Sequence, residues 1–209
     1  MIKIQGVIQV PGAEINPLLI QQLTGKDAAD IPSSPTISWL PGRYAKQVNR
    51  KKEDIEKHFG ENSFMIKCNS CGRKGKYDVG LMIYNHDEKK NADDPASKIQ
   101  TTGYFRCKHC NDAGNWEMPT QFSIAPMAGV LASVAGGMKD RFEIGESQLY
   151  DGSWHLFSSD GEMHLFNQLE EDPANSFIWN RLGNLYDKGN RPELAACVYE
   201  YSYSLILVK

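Results

Sequence analysis

The chain has 209 residues, 41% of them hydrophobic and 23% charged, a composition typical of a folded protein with one large domain or two small ones. Its formal net charge of −3 argues against a protein that coats nucleic acid. No run of residues has the character of a signal peptide or a membrane span, so we expect a cytoplasmic protein without membrane contact.

The patterns of polar and apolar residues predict an α+β protein in four successive parts. Residues 1–62 hold a strand, turns and a basic helix, and residues 63–123 form a small antiparallel β domain. Residues 124–162 supply a connecting helix and an extended segment, and residues 163–209 are helical.

Two elements are predicted in the N-terminal part. Residues 1–10 alternate apolar and polar side chains, which predicts a strand. Residues 43–59 lack proline and glycine and are rich in helix formers, so they predict a helix. Its apolar residues form one narrow stripe: Tyr44, Val48, Ile55 and Phe59.

Short runs of β-forming residues dominate the second part. Residues 63–67 and 75–84 flank a first cysteine pair and predict strands. Residues 98–106 and 114–118 flank a second pair in the same layout. The polar residues 85–97 between the two halves predict an exposed loop.

Four of the five cysteines occur in two CxxC pairs: Cys68 with Cys71, and Cys107 with Cys110. A spacing of two residues lets one tight turn present both sulfurs to one ion, and two such turns supply the four ligands of a tetrahedral Zn²⁺ site. The residue after each pair, Gly72 or Asn111, can adopt the left-handed backbone conformation that these turns require.

We expect a structural metal, because four cysteines fill the tetrahedron and leave no position for water. Nearby cations can offset the net negative charge of four thiolates: Lys67, Arg73, Lys74, Arg106 and Lys108. The alternatives to zinc are a redox-active CxxC, an iron–sulfur cluster and plain buried cysteines. His109 is expected to be an exposed bystander, and the isolated Cys197 a small core residue.

In these cysteine pairs and their surrounding strands, residues 63–123 resemble the zinc-ribbon family. The resemblance implies two turns carried on β-hairpins around one structural Zn²⁺. Zinc binding is worth on the order of 10 kcal/mol in small zinc peptides, enough to decide whether such a β unit folds.

The rest of the chain predicts mostly helices. Small residues between positions 124 and 140 predict a connecting helix that begins near Pro126. Alternating residues between 141 and 154 predict extended structure. Three further helices are predicted at residues 161–171, 176–188 and 192–207.

The last two of these helices resemble a tetratricopeptide repeat. Six residues fit the spacing W-x₂-L-G-x₂-Y followed by A-x₃-F, with Tyr in place of Phe: Trp179, Leu182, Gly183, Tyr186, Ala195 and Tyr199. The resemblance implies an antiparallel hairpin in which small residues permit close approach and large ones fill the space between helices. A helical hairpin that only looks like the repeat is the alternative.

Residues 163–173 resemble the second helix of a preceding repeat, so about one and a half repeats are present. Because such repeats bury their apolar faces by stacking, we expect the tail either to dock on the rest of the chain or to belong to a longer protein.

The leading functional prediction is a non-catalytic scaffold that presents surfaces to a protein partner. The alternative is a nucleic-acid-binding protein, because residues 43–76 contain ten basic and four acidic residues. Its candidate contacts are Arg50, Lys51, Lys52, Arg73, Lys74 and Lys76, with Tyr77, Tyr104, Phe105 and Trp116 as candidate stacking surfaces. We find no nucleotide-binding, zinc-protease or nucleophile-elbow motif, so we do not expect an enzyme.

Overall fold

The computed structural model describes residues 14–85, 95–134 and 139–207, and the strand predicted at residues 1–10 lies outside them. The fold is α+β, with small sheets followed by C-terminal helices. The helices are Pro17–Thr24 (α1), Tyr44–Arg50 (α2), Thr120–Val134 (α3), Ser158–Glu171 (α4), Ser176–Lys188 (α5) and Pro192–Leu207 (α6). The strands are Ser63–Cys68 (β1), Lys74–Asp78 (β2), Met82–Tyr84 (β3), Ile99–Thr101 (β4), Trp116–Glu117 (β5) and Phe142–Ile144 (β6).

The first sheet carries the first cysteine pair. Its order is β2-β1-β5, and both pairings are antiparallel. The hairpin of β1 and β2 places Phe64 opposite Tyr77, and β5 adds Trp116 opposite Cys68. The two CxxC turns are therefore brought together through this sheet, since β5 follows the second pair in the chain.

The second sheet corrects the prediction of one strand at residues 75–84. Its order is β4-β3-β6, with β3 and β4 antiparallel and β3 and β6 parallel. The chain leaves the first sheet at Gly80, whose φ of 66° breaks the strand. A Cβ at Gly80 would lie 2.6 Å from the Thr102 hydroxyl, and that hydroxyl accepts a hydrogen bond from the Leu81 amide. The strand predicted at residues 98–106 likewise shortens to β4.

One small apolar core unites the two sheets with α3. It contains Ile66 and Tyr77 from the first sheet, Met82 from the second, and Phe122 from the helix. Burial of Phe122 explains why α3 begins at Thr120 rather than near Pro126, which lies within the helix. A Cβ at Gly129 would lie 2.3 Å from the Phe142 ring, so the helix approaches β6 closely.

The C-terminal helices form a second and larger core. The bounds of α5 and α6 coincide with the predicted residues 176–188 and 192–207. The Asn175 side chain caps α5 by accepting a hydrogen bond from the Ile178 amide at 3.2 Å. The predicted first helix begins at Ser158, three residues early, because the Asp160 carboxylate accepts a hydrogen bond from the Phe157 amide.

The N-terminal segment packs on this helical core. Helix α1 buries Leu19, Ile20 and Leu23 in it. The helix predicted at residues 43–59 is wrong in length: α2 ends at Arg50, and a short 3-10 turn follows. Ala45 is the buried contact of α2, while residues 51–58 are exposed. Helices in proteins are stabilised mainly by packing of an apolar face, and these exposed residues bury none.

None of the helices in the described ranges is long and apolar enough to span a membrane.

Candidate metal centre

Two backbone turns of the same construction hold the two cysteine pairs. In each turn the first cysteine accepts, through its carbonyl, a 2.8 Å hydrogen bond from the residue after the pair, Gly72 or Asn111. The amide of that first cysteine donates to the residue two positions beyond the pair, at 2.9 Å for Cys68 and 2.7 Å for Cys107. Both Gly72 and Asn111 adopt the predicted left-handed conformation, with φ of 72° and 61°.

The two turns are joined directly to each other. The Ser70 hydroxyl in the first turn donates to the Asp112 carboxylate beside the second. The Asn69 amide donates to the Asn115 carbonyl at 3.0 Å. Residues far apart in sequence therefore close around a common centre.

The four sulfurs lie close enough to bind one metal ion. All four ligand atoms are within 4.8 Å of one another, with 3.7 Å between Cys68 and Cys110 and 3.6 Å between Cys71 and Cys107. A tetrahedron with sulfur about 2.3 Å from the metal requires sulfurs about 3.8 Å apart. The donor set and its spacing thus fit a tetrahedral thiolate-bound ion, which would be held by Cys68, Cys71, Cys107 and Cys110.

The surroundings of the sulfurs separate the pKa values of the thiols. Burial raises the pKa of Cys110 to about 12, and neighbouring thiols act in the same direction. Burial also acts to raise the pKa of Cys107, but the backbone amides of Cys110 and His109 lower it to about 7. A bound cation removes this difference, because coordination deprotonates thiols outright.

Two of the cations predicted to offset thiolate charge, Lys67 and Lys108, have other partners. Lys67 forms an ion pair with Glu117 at 2.6 Å, and Lys108 donates to the Lys76 carbonyl and lies over the Tyr77 ring. Arg73 and Lys74 are exposed. His109 is also exposed and is not part of the sulfur cluster, and Cys197 is a buried core residue.

A buried polar cluster beside the second turn was missed by the sequence analysis. At its centre is Glu162 of α4, which is fully buried. One carboxylate oxygen accepts from the hydroxyls of Tyr104 at 2.8 Å and Tyr186 at 2.5 Å. The other accepts from Asn16 at 2.8 Å and from Arg106 at 3.4 Å. Burial raises the pKa values of both tyrosines, so they stay protonated as donors.

This cluster connects the cysteines to the helical core. Arg106, which precedes Cys107, donates through Nε to the Asn111 carbonyl at 2.9 Å. The Asn111 amide group donates to the carbonyls of Ile15 and Ser33, at 2.7 and 2.8 Å. The same two residues that shape the second turn therefore contact both α4 and the N-terminal segment.

One signal of this cluster is present in the sequence. Glu162 stands three, four and seven residues before Leu165, Phe166 and Leu169, which are all buried. A carboxylate on the apolar stripe of a helix must find hydrogen-bond donors, because an unpaired buried charge is costly. The identity of those donors is not encoded locally, since they come from three distant segments.

The six residues of the repeat-like pattern lie at the contact of α5 and α6. Trp179, Leu182, Gly183, Tyr186 and Ala195 are buried, and Tyr199 is partly buried. A Cβ at Gly183 would lie 2.3 Å from the Tyr199 ring, so the two helices approach where glycine permits it. The Tyr199 hydroxyl donates to Asn184 at 2.7 Å.

The candidate nucleic-acid contacts are exposed: Arg50, Lys51, Lys52, Arg73, Lys74 and Lys76. The aromatic residues proposed to stack on bases are not available for that role. Tyr77, Tyr104 and Phe105 are buried, and Trp116 is partly buried against the Tyr77 and Phe105 rings. These four aromatic side chains pack in or against the two hydrophobic cores.

Comparison of the chain with models of protein families, with curated proteins and with solved structures found no match.

Proposed function

We propose that the chain is a non-catalytic zinc protein whose metal centre holds together a scaffold for protein binding. The observation that carries this proposal is the convergence of four cysteine sulfurs from two like-built turns. Four thiolates fill the coordination sphere of a tetrahedral ion, whereas catalytic zinc keeps one position for water or substrate. The centre is therefore proposed to stabilise structure and to perform no reaction.

Zinc is the ion that this donor set favours. Four thiolates in a tetrahedron suit Zn²⁺ or an iron–sulfur site, and oxygen-preferring ions such as Mg²⁺ and Ca²⁺ are poor matches. Two features of the turns suit thiolate ligands. The residue after each cysteine pair is left-handed, and the His109 amide donates a hydrogen bond to the Cys107 sulfur at 3.4 Å. Thiols persist in a reducing compartment, so we place the protein in the cytoplasm.

A zinc ribbon and a tetratricopeptide-like hairpin are proposed as the two modules. Support for the ribbon comes from the hairpin of β1 and β2 at the first turn and from β5 after the second. Support for the repeat comes from the close approach of α5 and α6 at Gly183 and Tyr199. The second turn departs from the ribbon pattern, because its only adjoining strand within the described residues is the two-residue β5.

The proposed protein-binding surface lies at one end of the α5 and α6 hairpin. Phe177 at the start of α5 is 49% exposed, and Tyr203 and Leu207 near the end of α6 are 62% and 67% exposed. The Ser202 hydroxyl donates to the Ser176 carbonyl, which places these two helix ends side by side. Tyr203 and Leu207 are four residues apart and therefore lie on one face of α6, and exposed apolar side chains that share a face commonly mark an interaction site.

Cross-linking of the purified zinc-loaded chain in cell extract tests this surface. We expect a protein partner that is lost when Tyr203 and Leu207 are both changed to serine. Met65→Ser is the matched control, because Met65 is 56% exposed and lies on β1 rather than on α5 or α6. Unchanged capture by the double variant would contradict the assigned surface, and specific turnover of a substrate would overturn the non-catalytic proposal.

Nucleic-acid binding is the second candidate, and the exposure of all six candidate contacts between positions 50 and 76 is the observation that favours it. Two acidic residues already lie near this segment, since Glu61 and Asp78 approach Lys76 and Lys57 at 3.9 and 3.4 Å. Binding of duplex DNA and single-stranded RNA should then weaken steeply with salt and on changing Lys51, Lys52 and Lys74 to glutamine. Salt-independent binding would exclude phosphate contact.

A further inference from the structure

A cavity of about 300 Å³ lies between the second sheet and the C-terminal helices, apart from the cysteines. One wall is formed by Gln100 and Thr101 of β4, a second by residues 147–158, and the third by α5. The volume is at the lower end of the range for small-molecule sites, about 300 to 1,000 Å³, which suits a compact metabolite.

The charge of the cavity lining is entirely positive among the described residues. Arg181 and Lys188 of α5 line it, and no aspartate or glutamate does. The two cations are seven residues apart, and therefore lie on one face of the helix. The cavity lining is therefore positively charged, whereas the whole chain has a formal net charge of −3.

The Arg181 guanidinium has N–H donors that make no hydrogen bond to the described part of the chain. It donates to Asn180 at 2.9 Å and lies over the Phe177 ring at 4.8 Å. Its Nε atom is buried and has no hydrogen-bond partner within the described part of the chain. Buried donors are normally satisfied, so the bonds made to neighbouring protein groups do not use the full donor capacity of this guanidinium at the cavity wall.

Two carboxylates near this cavity accept hydrogen bonds from groups outside its lining or from polar neighbours in the chain. Asp151 accepts hydrogen bonds from His164 at 2.6 Å and from Gln168 at 3.0 Å. Glu146 accepts from Asn85 at 3.2 Å. His155, which also lines the cavity, has a pKa lowered chiefly by burial, so the fixed charge of the cavity comes from the two cations on α5.

The cavity is held open by hydrogen bonds that do not involve a ligand. The Gln100 side chain donates to the carbonyls of Ser147 and His155 and accepts from the Ser147 amide, each at 2.8 Å. Leu149 and Leu185 supply apolar wall. A preformed cavity with apolar walls and a few convergent polar groups is the usual form of a ligand site.

We propose that this cavity binds a small organic anion, a carboxylate or phosphate monoester carried on an apolar body. Arg181 and Lys188 hold the anionic group, and Leu149 and Leu185 contact the body. Asn184 assists through its amide N–H groups, since its oxygen already accepts from Tyr199. This site uses no residue of the metal centre, so it stands independently of the proposed zinc function.

Titration of the full-length, metal-loaded chain with benzoate, phenyl phosphate and benzamide, followed by NMR and calorimetry, tests this proposal. At least one of the two anions should bind saturably with a dissociation constant of about 1 mM, as suits so small a probe. Benzamide, a neutral match for benzoate, should bind at least about tenfold more weakly. Which anion binds better distinguishes a carboxylate site from a phosphate site.

Arg181→Gln and Lys188→Gln should each weaken binding of the preferred anion by about tenfold, whereas Lys46→Gln, an exposed change on α2, should leave it unchanged. Lys188 is exposed, so its variant reports on binding even if loss of Arg181 disturbs folding. Absence of saturable anion binding overturns the proposal, as does benzamide binding as tight as benzoate binding or binding indifferent to Lys188→Gln.

Discussion

The cysteine-bearing β region and the C-terminal helical region are stabilised by different physical means. Among the described residues, the helical core contains nineteen buried apolar residues and the β core eight. The helical core draws on the five helices α1, α2, α4, α5 and α6, whereas the β region has strands of two to six residues. Small cores rarely suffice alone, so we infer that the β region depends on metal coordination and the helical region on apolar burial.

The two regions nevertheless share one buried junction. Glu162 belongs to α4 of the helical region, and Arg106 belongs to the segment that leads into the second cysteine turn. Tyr104 packs edge to face on Tyr186 at 5.1 Å and donates to the same carboxylate. The difference between the regions can therefore be tested by perturbing the metal, the junction and the helical core in turn.

Removal of the metal should have the largest effect, and it should be confined mainly to the β region. A strong chelator under reducing conditions, or Cys71→Ser, forfeits binding worth on the order of 10 kcal/mol. Hydrogen exchange should show β1 and β2 losing protection while α5 and α6 retain theirs. Cys197→Ser should keep the β protection, because Cys197 lies in the helical core. Simultaneous loss of protection in β1, β2, α5 and α6 would contradict the inference that the metal stabilises mainly the β region.

Disruption of the junction should rank second. Glu162→Ala leaves the Arg106 guanidinium and two tyrosine hydroxyls without their buried acceptor, so we expect a loss of about 3 to 5 kcal/mol in the free energy of unfolding. Chemical denaturation measures it. Glu170→Ala, an exposed change on the same helix, should stay within about 0.5 kcal/mol of the unaltered chain. Equal losses of unfolding free energy in the two variants would show that the buried hydrogen bonds of Glu162 do not stabilise the protein.

A change within the helical core should have the third-largest effect on stability. A Cβ at Gly183 would meet the Tyr199 ring, so Gly183→Ala should cost about 1 to 3 kcal/mol through overpacking. At Gly161 the nearest atom is the end of the flexible Leu185 side chain, at 3.0 Å. Gly161→Ala should therefore be close to neutral. Zinc content should be unaltered in both variants, and a loss of zinc in Gly183→Ala would show that the regions are not separable.

The smallest effect is expected at the surface, outside both cores. A hydrogen bond from His164, with further bonds from Ser153, holds the pKa of Asp151 well below its usual value. Its stabilising contribution is therefore present above the ordinary aspartate pKa and is lost as the pH falls below it. Asp151→Asn should cost about 0.5 kcal/mol at pH 7 and progressively less under acid conditions. A cost that grows as the pH falls would contradict this assignment.

Local features of the fold were predictable from the sequence. The bounds of α5 and α6 follow from helical periodicity and from the Asn175 cap, and the two cysteine turns follow from spacing and from residues that tolerate positive φ. The division of the chain into four parts remains a prediction. Each of these local signals lies within a few residues of the structure it specifies.

The features that the sequence analysis predicted wrongly or missed depend on contacts between residues far apart in the chain. The strand predicted at residues 75–84 divides because Gly80 packs against Thr102 and Gly103. The helix predicted from residue 43 ends at Arg50 because the residues that follow are exposed and bury no apolar face. The donors to Glu162 come from positions 16, 104, 106 and 186, and no local pattern joins them.

Native mass spectrometry of the reduced chain tests the central claim most directly. We predict one zinc ion per chain, retained in Cys197→Ser and lost in both Cys71→Ser and Cys107→Ser, since each turn contributes two of the four ligands. A chain that carries no metal, or that keeps its ion when a cysteine of either turn is changed, would contradict a single centre shared by the two turns.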